Sequence, residues 1–274
     1  MSSPNGYERP AVAGSGTIAT GLAAVASTLG EVRLVARTDA SAWRAEEQAQ
    51  KVAGKVEGGD PAQIKVTTDL NDIAECDIVV EAIVEDPGAK ADLLRKIAAA
   101  CPAADLASTT SSLSITEIAE GSGQPERLFG LHVFNPVARM ELVELCLPER
   151  LAPEIGERAR AWCTALGKTA VEVADSAGFV VNRLLFPFLF DAVRLLETSD
   201  LEPADVDTCM QLGAAHPMGP LRVLDFVGLD VAAAIGESLH ADSSNPDHRP
   251  PERMRELISA GRLGRKSGAG FFEY

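Results

Sequence analysis

Four histidines, at positions 132, 216, 240 and 248, are the side chains best suited to moving a proton near neutral pH. His132 stands apart because it closes the apolar run Phe129-Gly130-Leu131-His132-Val133-Phe134, which Asn135 and Pro136 then follow. Such a run reads as a buried strand, and in an open α/β sheet the ends of strands form the edge where ligands bind. The competing reading is a structural histidine satisfied by its neighbours. Further on, Glu144 interrupts the run Leu142-Val143-Glu144-Leu145. A carboxylate is costly to bury there without a partner, and an imidazole would be one. A glutamate that holds His132 in one tautomer and stabilises its imidazolium makes it a proton acceptor for an alcohol under oxidation. The competing reading turns Glu144 outward from a half-exposed strand.

A second kind of chemistry is written in Pro10-Ala11-Val12-Ala13-Gly14-Ser15-Gly16-Thr17-Ile18-Ala19: a strand, a Gly-rich turn and a helix, the last predicted over residues 21–29. Gly14 permits the tight turn and Gly16 lets the backbone approach a pyrophosphate. The helix offers that anion its unpaired N–H groups and positive dipole end. Gly-rich turns also exist simply to reverse a chain, so the surrounding elements decide. Strand-like runs at 32–35, 77–82, 106–109, 128–134 and 141–145 alternate with helical patterns such as 89–100. That is the alternation of an α/β, Rossmann-like, doubly wound, mostly parallel sheet. Beyond about residue 180 the strand signals stop, and helices are predicted over 181–197, 203–212, 221–226, 231–239 and 251–260, with a loop at 242–251. The expected organisation is a dinucleotide-binding domain over 1–180 and a smaller all-α domain over 181–274.

With 40 acidic against 25 basic side chains in 274 residues, a net charge of −15, the chain is a poor bulk partner for nucleic acid or an anionic membrane. Its polar start lacks a secretory signal and no window is apolar for long enough to span a bilayer, so a cytoplasmic location is expected. The cysteines (Cys76, Cys101, Cys146, Cys163, Cys209) are odd in number and scattered, which reads as buried free thiols with neither metal nor disulfide.

Further stretches carry more than periodicity: Val80-Glu81-Ala82-Ile83-Val84-Glu85-Asp86, Ser111-Ser112-Leu113-Ser114-Ile115-Thr116-Glu117-Ile118, Gly130-Leu131-His132-Val133-Phe134-Asn135-Pro136-Val137, Gly178-Phe179-Val180-Val181-Asn182-Arg183-Leu184-Leu185, Pro217-Met218-Gly219-Pro220, and the ending that starts at Gly264-Arg265-Lys266. In these the sequence resembles the L-3-hydroxyacyl-CoA dehydrogenases, from Val12 almost to the last residue. The resemblance implies an oxidoreductase that interconverts an (S)-3-hydroxyacyl thioester, as 3-hydroxyacyl-CoA, and its 3-oxo form with a nicotinamide cofactor. Carried over by position, His132 is the base, Glu144 orients it, Ser111 and Asn182 hold the substrate oxygen, and Asn135 supports the site. Gly14, Gly16, Thr17, Ile18, Ala36, Arg37, Glu85, Lys90 and Thr109 fall on the cofactor. Read alone, Ser111 is a helix N-cap near the capping-box pattern Ser114-x-x-Glu117, and Lys90 is a solvated helix residue. The helical domain, apolar over much of 181–197, is expected to make a homodimer contact, with intradomain core as the other reading.

Three departures from the family pattern bear on specificity. At the end of the second strand Ala36 stands where the family usually has an acidic residue for the ribose hydroxyls of NAD. Ala36-Arg37-Thr38 suits a 2′-phosphate instead, so NADP is favoured over NAD, with Asp39 serving the ribose as the other reading. The segment up to Asp69 is shorter than the family's helical hairpin over coenzyme A. An acyl-carrier-protein-bound 3-hydroxyacyl or glyceryl thioester, as in polyketide extender-unit synthesis, therefore competes with acyl-CoA as the substrate. Thr109 replaces an Asn before the catalytic Ser. A non-catalytic dinucleotide-binding protein is the alternative from another class. The related 3-hydroxyacid dehydrogenases rely on a lysine at the domain junction, where Asn182 stands here.

Overall fold

The computed structural model describes residues 6–274, so residues 1–5 of the polar start lie outside the described residues. Packing divides the chain into two units, Met1–Asp175 and Ser176–Tyr274.

In the first unit β1 (Pro10–Ala13), β2 (Val32–Val35), β3 (Ile64–Thr67), β4 (Ile78–Glu81), β5 (Asp105–Ser108), β6 (Leu128–Val133), β7 (Leu142–Cys146) and β8 (Thr169–Val173) form one sheet. Its order is β3-β2-β1-β4-β5-β6-β7-β8, and every neighbouring pair is parallel except β6 and β7. The central strands β1, β4, β5 and β6 are buried along their whole length, as strands covered on both faces must be. The chain order reverses at β1, which places the ligand-binding crevice of such a sheet at its carboxyl end. Helices α1 (Thr17–Ala26), α2 (Asp39–Ala53), α3 (Pro87–Ala100), α4 (Ile115–Ser122) and α5 (Pro153–Ala165) complete the unit.

Helix α1 starts at Thr17 rather than at 21, because the turn ends at Gly16, whose carbonyl already accepts the Thr20 N–H at 2.9 Å. Its small side chains let it lie close on the sheet. Strands β3 and β8 were not anticipated. Both are sheet edges, and of β3 only Ile64 is fully buried, so neither carries the apolar run of a central strand. Between β2 and β3 stands the single helix α2, which buries only Ala45, Ala49 and Ala53, one narrow face.

The second unit is helical: α6 (Val181–Glu197), α7 (Pro203–Gly213), α8 (Pro220–Val227), α9 (Leu229–Ser243) and α10 (Glu252–Ser259) pack around Phe186, Phe190, Leu224, Leu239 and Met254. Helix α9 runs past its expected end into the segment read as loop, of which 246–248 is a short 3-10 turn. Two buried aspartates fix the packing. Asp207 accepts the N–H groups of Leu221 and Arg222 at 2.8 and 3.1 Å, capping α8 from another helix. Asp225 accepts the N–H groups of Phe271 and Phe272 and the Tyr274 hydroxyl, and so ties down the chain's last residues.

Cys76, Cys101, Cys146 and Cys163 are buried, whereas Cys209, against expectation, is exposed on α7. Burial pushes the Cys146 thiol up to about 12. Among the described residues no helix is long and apolar enough to cross a membrane.

Candidate active site

The antiparallel register of β6 and β7 sets His132 directly opposite Glu144. Side chains on facing positions of such a ladder meet, and here Nδ1 of His132 lies 2.6 Å from Oε2 of Glu144, both groups buried. Glu144 therefore points at the imidazole and not outward. The ring of Phe134 tilts against the imidazole with centroids 4.5 Å apart. The turn joining the two strands begins at the exposed Asn135 and is held by Lys168, whose ammonium donates to the carbonyls of Val137 and Met140 at 2.5 and 2.8 Å. Sequence reasoning missed Lys168, which no motif marks. The other histidines lie in the helical unit: His240 and His248 bond the Asn245 carbonyl and the Ser243 hydroxyl, and His216 packs on Phe188.

Ser111 follows β5 in a turn organised by one carboxylate. Oε1 of Glu85 accepts from the Thr110 hydroxyl (2.6 Å), the Ser111 N–H (2.8 Å), the Ser112 N–H and hydroxyl (both 3.0 Å) and, at 3.3 Å, the Ser111 hydroxyl. Burial would raise the Glu85 carboxyl, but the Lys90 charge and these donors outweigh it and hold the group below the usual carboxylate range. The N-cap of α4 is Ser114, which accepts the Glu117 N–H, so Ser111 is not the cap. Asp175 adds bonds to the Ser114 hydroxyl and to the N–H groups of Ile115 and Thr116. Lys90 is not a solvated helix residue: it is fully buried, with its ammonium on Glu81. Neither Asp175 nor Glu81 was singled out in the sequence.

The Gly-rich turn fits a dinucleotide diphosphate. Gly14 has φ +153°, and a Cβ there would stand 2.2 Å from the Ala82 carbonyl oxygen, so the turn itself demands glycine. A Cβ on Gly16 would meet nothing within 4 Å, so packing does not require glycine there, while an approaching ligand would. Gly16 caps α1 without a side-chain bond and no acidic residue stands in the first turn, which leaves Thr17, Ile18 and their neighbours offering N–H groups. Ala36 is buried and its N–H pairs with the Thr67 carbonyl. Arg37 is exposed and has no ion pair among the described residues. The Thr38 hydroxyl is spent on capping α2, and Asp39 accepts a long bond of 3.4 Å from Thr68. Thr109 follows β5 directly, its N–H on the Glu81 carbonyl. In the helical unit Asn182 lies buried in the first turn of α6, after the positive-φ residues Gly178 and Phe179.

Residues 10–176 match the family described as 3-hydroxyacyl-CoA dehydrogenase, NAD binding domain, and residues 178–274 match its C-terminal domain. The chain is 43% identical over 213 residues to a probable 3-hydroxybutyryl-CoA dehydrogenase of Deinococcus radiodurans, covering 77% of each chain. It is 37% identical to a 3-hydroxybutyryl-CoA dehydrogenase of Mycobacterium tuberculosis, covering 97% of this chain and 98% of that one. The crystal structure of M. tuberculosis FadB2 superposes with a TM-score of 0.93 at 36% identity, over 98% of this chain and 99% of the other. A nicotinamide-binding oxidoreductase is the class that this fold and these matches define. Within it, the chain belongs to the 3-hydroxyacyl-CoA dehydrogenase family.

Proposed function

We propose that this member of the family interconverts an (S)-3-hydroxyacyl-CoA and its 3-oxo form with His132 as the proton-transferring group. The observation that carries the reading is the buried 2.6 Å contact between His132 and Glu144. An ionised Glu144 accepts the Nδ1 proton and so directs the imidazole lone pair to Nε2, the atom that takes the 3-hydroxyl proton. As charge grows on the ring, the same carboxylate stabilises it. Ser111 supplies a polar contact to the 3-oxygen, where negative charge develops. Asn182 is assigned a second such contact on the resemblance alone. When bound, the nicotinamide accepts hydride from C3, or returns it in the reverse reaction. Gly14, Gly16, Thr17 and Ile18 hold its diphosphate, with Ala36, Arg37 and Thr109 further along the same cofactor. Ala36 and the exposed Arg37 favour NADP over NAD.

The single helix α2, where the resemblance implies a helical hairpin, has Arg44, Lys51 and Lys55 exposed and supports a second substrate reading, a thioester on an acyl carrier protein. The discriminating experiment is the initial rate of acetoacetyl-CoA reduction, followed by loss of reduced-cofactor absorbance. Turnover supports the CoA reading. A protein that binds cofactor yet turns over only the carrier-bound 3-oxo thioester refutes it, and one that turns over neither is a dinucleotide-binding protein without this activity.

A further inference from the structure

Beneath the Ser111 turn lies a group of charges that proton transfer at His132 does not use. Glu81, the last residue of β4, and Lys90 of α3 are both fully buried. The Lys90 ammonium donates to both Glu81 oxygens at 2.8 and 3.1 Å and to the Ile83 carbonyl at 3.4 Å, and it stands 3.4 Å from Oε2 of Glu85. Glu81 also accepts the Ser108 hydroxyl at the end of β5 and the Ile83 N–H, each at 2.6 Å. One ammonium thus serves two carboxylates, the inner one tied to the sheet and the outer one gathering the Thr110 to Ser112 turn. Burying an ion pair costs more than burying an apolar pair of the same volume, so packing alone gives no reason for this arrangement.

Glu85 Oε1 takes four bonds of 3.0 Å or less from the turn, and the fifth, from the Ser111 hydroxyl, is the longest at 3.3 Å. That hydroxyl is the donor most readily exchanged onto a substrate oxygen while the other four keep its backbone in place. We infer that Lys90 is a positioning residue for the reaction: by bridging Glu81 and Glu85 it fixes the Glu85 carboxylate as the clamp of the Ser111 turn. The inference rests on the reading of Ser111 as a contact to the 3-oxygen. Glu85 is faced by Lys90 from α3, by Glu81 of β4 across that same ammonium, and by the uncharged donors after β5. Asp86, the next residue, is spent on the N-cap of α3. With Lys90 present, burial's upward push on Glu85 is overcome and the clamp persists below the ordinary carboxylate range. Without Lys90, burial acts with less opposition, and the clamp is lost as pH falls through a raised Glu85 pKa.

The test is the double variant Lys90→Met/Glu81→Gln, which removes both buried charges together, since Lys90→Met alone strands Glu81. Reduction of acetoacetyl-CoA is measured from about pH 8 to about pH 5, with the wild-type profile as the reference at every pH. Because the resemblance also places Lys90 on the cofactor, rates are taken at saturating cofactor; the expected result is a melting temperature near wild type and a new acid limb in kcat, deepening to about tenfold or more, with the KM for acetoacetyl-CoA little changed. Adding Glu85→Gln abolishes the limb and leaves kcat uniformly low. A double variant whose pH profile superimposes on wild type, or one that loses kcat equally at every pH, overturns the inference. Ser111→Ala separates the two readings. Wild-type kcat in that variant removes the role of Ser111 and the inference with it, whereas a lowered kcat with no acid limb in the double variant removes the inference alone.

Discussion

An imidazole 2.6 Å from a buried carboxylate is held in one tautomer, and the carboxylate offsets its charge at the moment it forms. The pair was legible in the sequence because His132 closes one apolar run and Glu144 interrupts another. What joins them, the antiparallel turn of the chain between β6 and β7, was not. Arg37 carries the choice of coenzyme at the same scale. A charge-assisted bond to a 2′-phosphate is worth roughly 1.5–3 kcal/mol, so Arg37→Ala should weaken NADPH binding by about tenfold or more and leave NADH binding unchanged. Titration of both reduced cofactors by fluorescence checks this. Equal losses for the two would assign Arg37 to something other than the 2′-phosphate.

Among the elements, the turn between β1 and α1 separates a glycine the fold needs from one a ligand needs. Gly14→Ala drives its methyl into the Ala82 carbonyl at a positive φ and should cost about 1–3 kcal/mol or more, a drop of several degrees in Tm. Gly16→Ala enters open space, so its Tm should stay near wild type while cofactor binding weakens. Calorimetry of both variants with and without NADPH checks the pair, and undiminished cofactor binding by Gly16→Ala would remove the diphosphate from this turn. The central strands were readable because burial on both faces makes them continuous apolar runs, and α6 was readable from its apolar pattern. The edge strands β3 and β8 were not, since half-exposed strands mix polar and apolar residues. The Glu85 clamp, the Asp175 bonds to the start of α4 and the Lys168 hold on the β6–β7 turn are contacts between residues far apart in the chain. No local pattern records them, and they are the supports of the candidate site.

At the scale of the whole molecule, the helical unit exposes Leu184 (71%), Leu212 (84%) and Phe226 (52%), with Leu195 on the α6 face that also bears Leu184. Large apolar side chains left open on one helix face mark a surface for association. We propose that this surface joins two copies of the chain, a self-complementary contact being the commonest way for one chain to cover such a face. Sedimentation of the protein should give twice the chain mass, and Leu184→Glu with Leu195→Glu should give the single chain. A wild-type protein that sediments as one chain would assign the surface elsewhere.

The proposed reaction requires His132 to move the proton, and the most direct measurement is acetoacetyl-CoA reduction by the His132→Gln variant beside wild type, with cofactor affinity measured on the same preparations. The loss expected is on the order of 10²–10⁴ in kcat with cofactor binding unchanged. Turnover at the wild-type rate would contradict the assignment of His132.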